Sequence, residues 1–99
     1  MRVDYYLKKV RLIKTREGAR KACNLGYVFI NGKKAKPAAQ VKPGDEILLD
    51  MPTRKVRVEV VELPQGNVRK KDAPSYYRLI ESERKAPHIQ EDFWESIEE

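Results

Sequence analysis

Hydrophobic side chains near the start of the chain recur with the spacing of one helical face. Val3, Leu7 and Val10 lie four and three residues apart, while lysines and arginines occupy the other faces. Because residues at these spacings line up along one side of a helix, the pattern predicts a short helix with a single apolar stripe. Asp4 belongs to a residue type that often caps helix N-termini, and we expect it to cap this helix or to pair with Arg16.

A second helix is predicted directly after the first. Thr15 is a suitable N-cap, and Ala19, Ala22 and Cys23 follow at the i, i+3, i+4 spacing of an apolar stripe. Gly26 is expected to end the helix in a left-handed conformation, which glycine adopts without a steric penalty. The segment therefore predicts a helix of about ten residues.

The hydrophobic period changes to two after this helix. Residues 27–30 form a β-rich run that ends at an Asn-Gly pair, the pair best suited to a type I′ hairpin turn, and residues 33–36 are expected to return as its partner strand. Residues 46–49 and 54–63 also have strand composition, and the second of these runs alternates valine with charged residues. The predicted order is two helices followed by four strands.

The part of the chain after the last predicted strand has a different character. It begins with a turn and a compact basic cluster at residues 68–71. Tyr76, Leu79 and Ile80 then have the spacing of one helical face and predict a short helix. Residues 89–99 place apolar side chains four apart among acidic ones, which predicts a weak amphipathic helix docked on the same chain.

These patterns together predict an α+β fold. Two short helices are expected to pack on a small, mostly antiparallel sheet, followed by a helical C-terminal extension. We divide the chain into residues 1–63, which hold the helices and the sheet, and residues 64–99, which hold the basic turn and the acidic extension. A chain of 99 residues has a thin core, which disfavours a deep enclosed active site.

The charge of the chain is concentrated in its first half. The whole chain has 21 basic and 15 acidic residues and a formal net charge of +6, but residues 1–43 alone carry 12 basic and two acidic side chains. A cationic field of this density favours a polyanionic partner, because each neutralised phosphate releases condensed counterions. Nucleic acid is therefore the expected partner.

Several other classes of function are disfavoured by the composition. The single cysteine, Cys23, cannot form an intrachain disulfide, and with one distant histidine, His88, it cannot build a zinc site. The sequence offers no paired catalytic groups and no phosphate-binding glycine loop, so we expect neither an enzyme nor a cofactor. The longest uncharged run, residues 22–32, is too short to cross a membrane, and we expect a cytoplasmic monomer.

The candidate nucleic-acid contacts are basic side chains around the second helix. Thr15 and Arg16 lie at its N-terminus, where free backbone N–H groups favour a phosphate. We expect the basic residues to form one concave wall that reads the shape of folded RNA more than its bases. The RNA-binding candidates are Arg2, Lys8, Arg11, Lys14, Thr15, Arg16, Arg20, Lys33, Lys34 and Lys36. Lys8 is equally compatible with a purely solvated face.

The first half of the chain resembles the alpha-L RNA-binding domain, which occurs in a small-subunit ribosomal protein, in some pseudouridine synthases and in tyrosyl-tRNA synthetases. The residues that carry the resemblance agree in order and spacing with the family pattern and are Arg2-Val3-Asp4, Tyr6-Leu7, Thr15-Arg16, Ala19, Gly26, Val28, Ile30-Asn31-Gly32, Lys36-Pro37, Val41 and Gly44-Asp45. The resemblance implies two helices packed on a small sheet that present a basic face to structured RNA.

Within this family, the chain is most similar to small ribosome-associated members that act in heat shock and in ribosome quality control. That similarity implies binding to large-subunit ribosomal RNA and to tRNA, in order to hold peptidyl-tRNA on an obstructed large subunit. Two other functions stay open. One is a general ribosomal-RNA binding or assembly factor, and the other is a protein-interaction module that acts through the acidic tail.

Overall fold

The computed structural model describes residues 1–85, which form two α-helices and one antiparallel sheet. The sheet has five strands, which lie side by side in the order Lys33–Lys34, Val28–Ile30, Glu46–Asp50, Arg54–Val60 and Tyr77–Arg84. This architecture confirms the predicted fold class. No helix within residues 1–85 is long and apolar enough to cross a membrane. The elements are α1 (Val3–Lys9), α2 (Arg16–Asn24), β1 (Val28–Ile30), β2 (Lys33–Lys34), β3 (Glu46–Asp50), β4 (Arg54–Val60), a single 3₁₀ turn (Ala73–Tyr76) and β5 (Tyr77–Arg84).

Both ends of α2 follow the predicted capping. The Thr15 hydroxyl accepts a hydrogen bond from the Gly18 backbone N–H at 2.9 Å, as an N-cap does. At the other end, Gly26 has a φ of +81° and donates its N–H to the Cys23 carbonyl, while the next N–H reaches the Ala22 carbonyl. This pair of bonds is a Schellman motif, which satisfies carbonyls that the helix leaves without partners.

The start of α1 differs from the prediction. Arg2 occupies the cap position and Asp4 lies inside the first turn, where its side chain is fully buried. The prediction that Asp4 caps the helix is therefore wrong. Its alternative role as a partner for Arg16 is confirmed, because the Arg16 Nε lies 3.7 Å from the Asp4 carboxylate. The helix start is held instead by residues 37–41, because the N–H of Val3 bonds a carbonyl of this segment at 2.7 Å.

The β1–β2 hairpin turns at the predicted Asn-Gly pair. Asn31 and Gly32 have φ angles of +51° and +84°, the signs that a type I′ turn requires. The Asn31 side chain also bonds the Asp45 carboxylate at 3.1 Å and accepts the N–H of Glu46 at 2.9 Å. The turn is therefore fixed to the start of β3.

The hydrophobic core lies between the two helices and one face of the sheet. The alternating residues of β3 and β4 that point to this face are buried, as the period of two predicts. Cys23 is 5% exposed and belongs to this core, as expected for a small apolar residue. The largest fully buried side chains are Tyr6, Leu7, Ile13, Ile47, Leu49, Met51, Val3, Val10, Val28, Val58 and Val60.

The segment after residue 76 is a strand and not the predicted short helix. β5 pairs antiparallel with the whole of β4, and the irregular step in register falls at Arg57 and Val58. This pairing supplies partners for backbone groups of β4 that would otherwise lie at the sheet edge, a gain that local periodicity does not reveal. Leu79 and Ile80 are exposed, so their spacing marks no buried face. The helix predicted for residues 89–99 lies outside the described residues.

Candidate RNA-binding surface

A buried carboxylate organises two arginines at the start of α1. Asp4 is fully buried and accepts two hydrogen bonds from the Arg2 guanidinium, at 3.2 and 3.1 Å. The Arg16 Nε lies 3.7 Å from the same carboxylate. We call Arg2, Asp4, Tyr5 and Arg16 the Asp4 cluster.

The arginines of the Asp4 cluster face solvent on their outer sides. The side chains of Arg2 and Arg16 are 43% and 48% exposed, although their partner carboxylate is completely enclosed. A guanidinium has five N–H donors, so each arginine keeps donors for a second anionic group after it has paired with Asp4. The carboxylate therefore fixes the direction of both arginines without using all of their hydrogen-bonding capacity.

An aromatic ring extends the Asp4 cluster along the helix. The Arg16 guanidinium lies 5.3 Å from the centre of the Tyr5 ring, and the Lys9 ammonium lies 5.2 Å from it. Both distances are within the range of cation–π attraction. Tyr5 therefore connects the Asp4 cluster to the far end of α1.

A second cationic feature, a groove of about 770 Å³, opens beside the end of α1. One wall consists of the end of α1 and the turn after it, the other of residues 67–70, and Ala73, Pro74 and Tyr77 line it as well. Among residues 1–85, no aspartate or glutamate lines this groove. We call it the basic groove, and its cationic residues are Lys8, Lys9, Arg11, Lys14, Arg69 and Lys70.

Two of these cations hold the walls of the basic groove together. The Lys9 ammonium donates a hydrogen bond of 2.8 Å to the Gly66 carbonyl. The Arg11 guanidinium donates to the Val68 carbonyl, at 3.2 Å from Nη2, and its backbone has a left-handed φ of +62°. Such a conformation is uncommon for a residue with a side chain, and here it turns the chain at the end of α1.

The other four cations of the basic groove have no such role. Within residues 1–85, the side-chain nitrogens of Lys8, Lys14, Arg69 and Lys70 make no hydrogen bond or ion pair. All four residues are exposed. Positive charge of this density without counter-charge attracts an anionic ligand.

The remaining predicted contacts lie at different places around α2. Arg20 pairs with Glu17 at 3.3 Å on the exposed face of the helix. Lys36 adjoins Pro37, whose carbonyl accepts the Asp4 N–H at 3.3 Å, so it lies beside the Asp4 cluster. Lys34 lies at the other end of α2, because its ammonium is 3.5 Å from the position that a Cβ on Gly26 would take.

The structure thus divides the expected single wall into separate parts. Arg2 and Arg16 are brought together at Asp4, the Lys36 backbone adjoins the segment that bonds the start of α1, and Lys8, Arg11 and Lys14 meet in the basic groove. Lys33 and Lys34 form β2, and the Lys34 ammonium lies near the C-terminal end of α2, whereas the expected phosphate site is at the N-terminal end. Thr15 lies at that N-terminal end, with its hydroxyl engaged as the helix cap.

Comparison with known proteins assigns the chain to a family. The family model of the S4 domain matches residues 1–47, which contain both helices and the entire Asp4 cluster. The RQC P-site tRNA stabilizing factor of Bacillus subtilis is 38% identical over 84 residues, which cover 85% of this chain and 96% of that protein. The chain belongs to this S4-domain family. The factor of the same name from Helicobacter pylori strain J99 is 39% identical over 77 residues, which cover 92% of it.

A solved structure extends the S4-domain comparison to the fold. Heat Shock Protein 15 of Vibrio cholerae, described as trimeric, superposes with a TM-score of 0.73 at 28% identity, over 81% of each chain. The S4-domain match ends at residue 47, so Arg69 and Lys70 of the basic groove lie beyond it.

Sequence reasoning missed two features of this S4-domain protein. The 68–71 cluster is visible in the sequence as a run of charge, but its position opposite α1 depends on contacts between residues 57 positions apart. The contact of Arg16 with the Tyr5 ring likewise arises from the packing of α1 against α2. The signal available in the sequence was the absence of acidic residues from positions 64–71.

The described residues hold no cluster of metal ligands, and their one cysteine is buried. Among residues 1–85, no three histidine, cysteine or acidic side chains lie close enough together to hold a metal ion. Burial raises the pKa of the Cys23 thiol to about 12, and the negative charge of Asp4 adds to the shift. The thiol is therefore protonated at neutral pH and is a poor nucleophile.

Proposed function

We propose that this protein binds large-subunit ribosomal RNA and tRNA, and that it stabilises peptidyl-tRNA on large subunits obstructed by an unfinished chain. The relatives that support this proposal are named RQC P-site tRNA stabilizing factors, and the chain covers 96% of the one from Bacillus subtilis. Binding alone, without catalysis, is sufficient for such a role in the cytoplasm.

The observation that carries the proposal is the Asp4 cluster. Two arginines that share one buried carboxylate are oriented before RNA arrives, so less side-chain entropy is lost on binding. Their outward-facing donors match the spacing of phosphate oxygens, which a guanidinium can bind with two hydrogen bonds. Because protein contacts to A-form RNA are mainly to phosphate and ribose, such a surface recognises the shape of folded RNA.

The other predicted contacts extend this surface in the proposal. Thr15 and Arg20 lie on α2 on either side of Arg16 in sequence, and Lys36 lies beside the cluster. Lys33 and Lys34 at the far end of α2 would contact a more distant part of the same RNA. Lys8, Arg11 and Lys14 would contact RNA along the basic groove.

Co-sedimentation with large ribosomal subunits tests the proposal. Arg2→Ala combined with Arg16→Ala is expected to reduce binding to subunits that carry peptidyl-tRNA by at least tenfold, and binding of the wild type is expected to fall steeply with salt. The matched control is Arg78→Ala combined with Lys85→Ala, which removes the same charge from surface pairs with Glu59 and Asp50.

Two results would contradict the proposal. Unchanged subunit binding by the Arg2/Arg16 double variant would remove the role of the Asp4 cluster. Equal affinity for free ribosomal RNA, for empty subunits and for subunits with peptidyl-tRNA would favour a general ribosomal-RNA binding or assembly factor instead. Filter binding with these three targets separates the two outcomes.

A further inference from the structure

We infer that the basic groove binds a single strand of RNA, with phosphates on the four cations that have no partner within residues 1–85 and one unpaired base against Tyr77. This inference rests on the proposed RNA binding but concerns a different surface from the Asp4 cluster. It adds Arg69, Lys70 and Tyr77, which lie beyond the S4-domain match, to the candidate contacts.

The six cations of the basic groove have two different roles, and this difference supports a polyanionic ligand. Lys9 and Arg11 bond the carbonyls of Gly66 and Val68 and so hold the two walls at a fixed distance. The four other cations, Lys8 and Lys14 on one wall and Arg69 and Lys70 on the other, have no partner within residues 1–85. A groove with free positive charge on both walls suits a chain of phosphates that runs between them.

The size of the groove favours a polymer over a lone phosphate. Its volume of about 770 Å³ lies within the range of about 300–1,000 Å³ that holds drug-sized ligands. A single phosphate would leave most of this space unfilled and would contact only some of the four cations. Several consecutive nucleotides would fill the space and contact both walls.

The lining at Tyr77 favours a nucleic acid over an acidic peptide. Tyr77 and Pro74 line the groove, and Tyr77 is half-buried, so part of it stays open to a ligand. Aromatic side chains beside cations are the usual platform for unpaired bases, since every base has a face that can stack. The 3₁₀ turn holds this platform in place, because the Tyr6 hydroxyl bonds the Tyr76 carbonyl at 3.0 Å.

Fluorescence anisotropy with a labelled single-stranded RNA of 12 nucleotides tests the inference. Arg69→Ala combined with Lys70→Ala is expected to weaken binding about tenfold and to lower the slope of log affinity against log salt by about 1.4, since each lost single-strand phosphate contact removes about 0.7. Both residues are exposed, so the variant keeps its fold. Arg78→Ala with Lys85→Ala is the control for charge and is expected to bind as the wild type does.

The aromatic contact has its own pair of variants. Tyr77→Leu is expected to weaken binding about tenfold without changing the salt slope, because stacking is lost while the cations stay. Tyr76→Leu alters the neighbouring tyrosine, which does not line the groove, and is expected to have no effect on affinity.

The outcomes separate this inference from the proposed function. If the Arg69/Lys70 variant binds the oligonucleotide like the wild type, the groove assignment is wrong, whatever large subunits do. If poly-glutamate of equal charge competes as well as RNA and Tyr77→Leu has no effect, the groove is an unselective polyanion surface and the strand assignment fails. Loss of subunit binding in the Arg2/Arg16 variant, together with unchanged oligonucleotide binding in the Arg69/Lys70 variant, would support the proposed function while it overturns the groove.

Discussion

The hydroxyl of Tyr6 in α1 donates a hydrogen bond of 3.0 Å to the backbone carbonyl of Tyr76, 70 residues further along the chain. The Tyr6 side chain is fully buried, and burial raises the pKa of its hydroxyl well above the usual value, with a further contribution from Tyr77. The hydroxyl therefore stays protonated and remains a donor. This bond fixes the 3₁₀ turn, and with it one side of the basic groove, to the first helix.

Tyr6→Phe removes this bond, while the Tyr76 carbonyl keeps the backbone N–H groups of Val61 and Glu62 as donors. We expect the free energy of unfolding to fall by about 0.5–1.5 kcal/mol, the usual net contribution of one intramolecular hydrogen bond. Urea denaturation measures the change, and Tyr5→Phe is the control, because that ring is only half-buried and keeps its cation–π contacts. Equal stability of the two variants would contradict a structural role for the bond.

Asp4→Asn keeps the shape of the buried side chain and removes its charge. We expect a loss of about 1–3 kcal/mol in stability, less than for a fully buried ion pair because Arg2 and Arg16 are half-exposed and can rehydrate. Binding to large subunits should also weaken, since both guanidiniums lose their fixed direction. Asp50→Asn, which loses a surface pair with Lys85, should change stability by less than about 1 kcal/mol in the same urea titration.

Cys23 should resist alkylation in the folded protein. Burial, followed by the charge of Asp4, raises the pKa of the thiol to about 12, so only about one thiol in ten thousand is ionised at pH 8. Mass spectrometry after iodoacetamide treatment at pH 8 should find full labelling in urea and almost none in buffer. Rapid labelling of the native protein would show that α2 does not pack as described.

Acid should weaken the contact between the β1–β2 turn and β3. Burial alone would raise the pKa of Asp45, but hydrogen bonds from Asn31 and Lys42 and the Lys42 charge bring it below the ordinary value of 3.8. A carboxyl whose pKa is lower in the folded state stabilises the protein when the pH is above its pKa in the unfolded chain. This contribution is lost as the pH falls through its pKa in the folded protein. Melting temperatures should therefore decline below about pH 4, and the decline should be smaller in Asp45→Asn, which starts from a lower stability at pH 7.

The features predicted correctly from the sequence are those that depend on one residue and its neighbours. The cap at Thr15, the left-handed Gly26 and the Asn31 turn each follow from the φ and ψ preferences of a residue type. The alternation in β4 was visible for the same reason, because its buried and exposed sides differ in hydrophobicity at every second position.

The features that were wrong or missed depend on distant partners. β5 was predicted as a helix because Tyr76, Leu79 and Ile80 have helical spacing, but pairing with β4 outweighs that local pattern. The second wall of the basic groove was missed because the carbonyls that Lys9 and Arg11 bond carry no side-chain signal in the sequence. Which backbone carbonyls lie within reach of these side chains is determined only by the folded structure.

The left-handed turn at Arg11 makes the end of α1 dependent on the segment that faces it. That conformation costs an L-residue about 1–2 kcal/mol. The guanidinium bonds to the Val68 carbonyl offset this cost together with the backbone bonds from Arg11 and Leu12 to the carbonyls of Lys8 and Leu7. If thermal motion separates residues 66–70 from the helix, the last turn of α1 loses the part of its support that comes from that segment in the same event. The two walls of the basic groove should therefore open together, and amide hydrogens on both walls should exchange with a common opening rate.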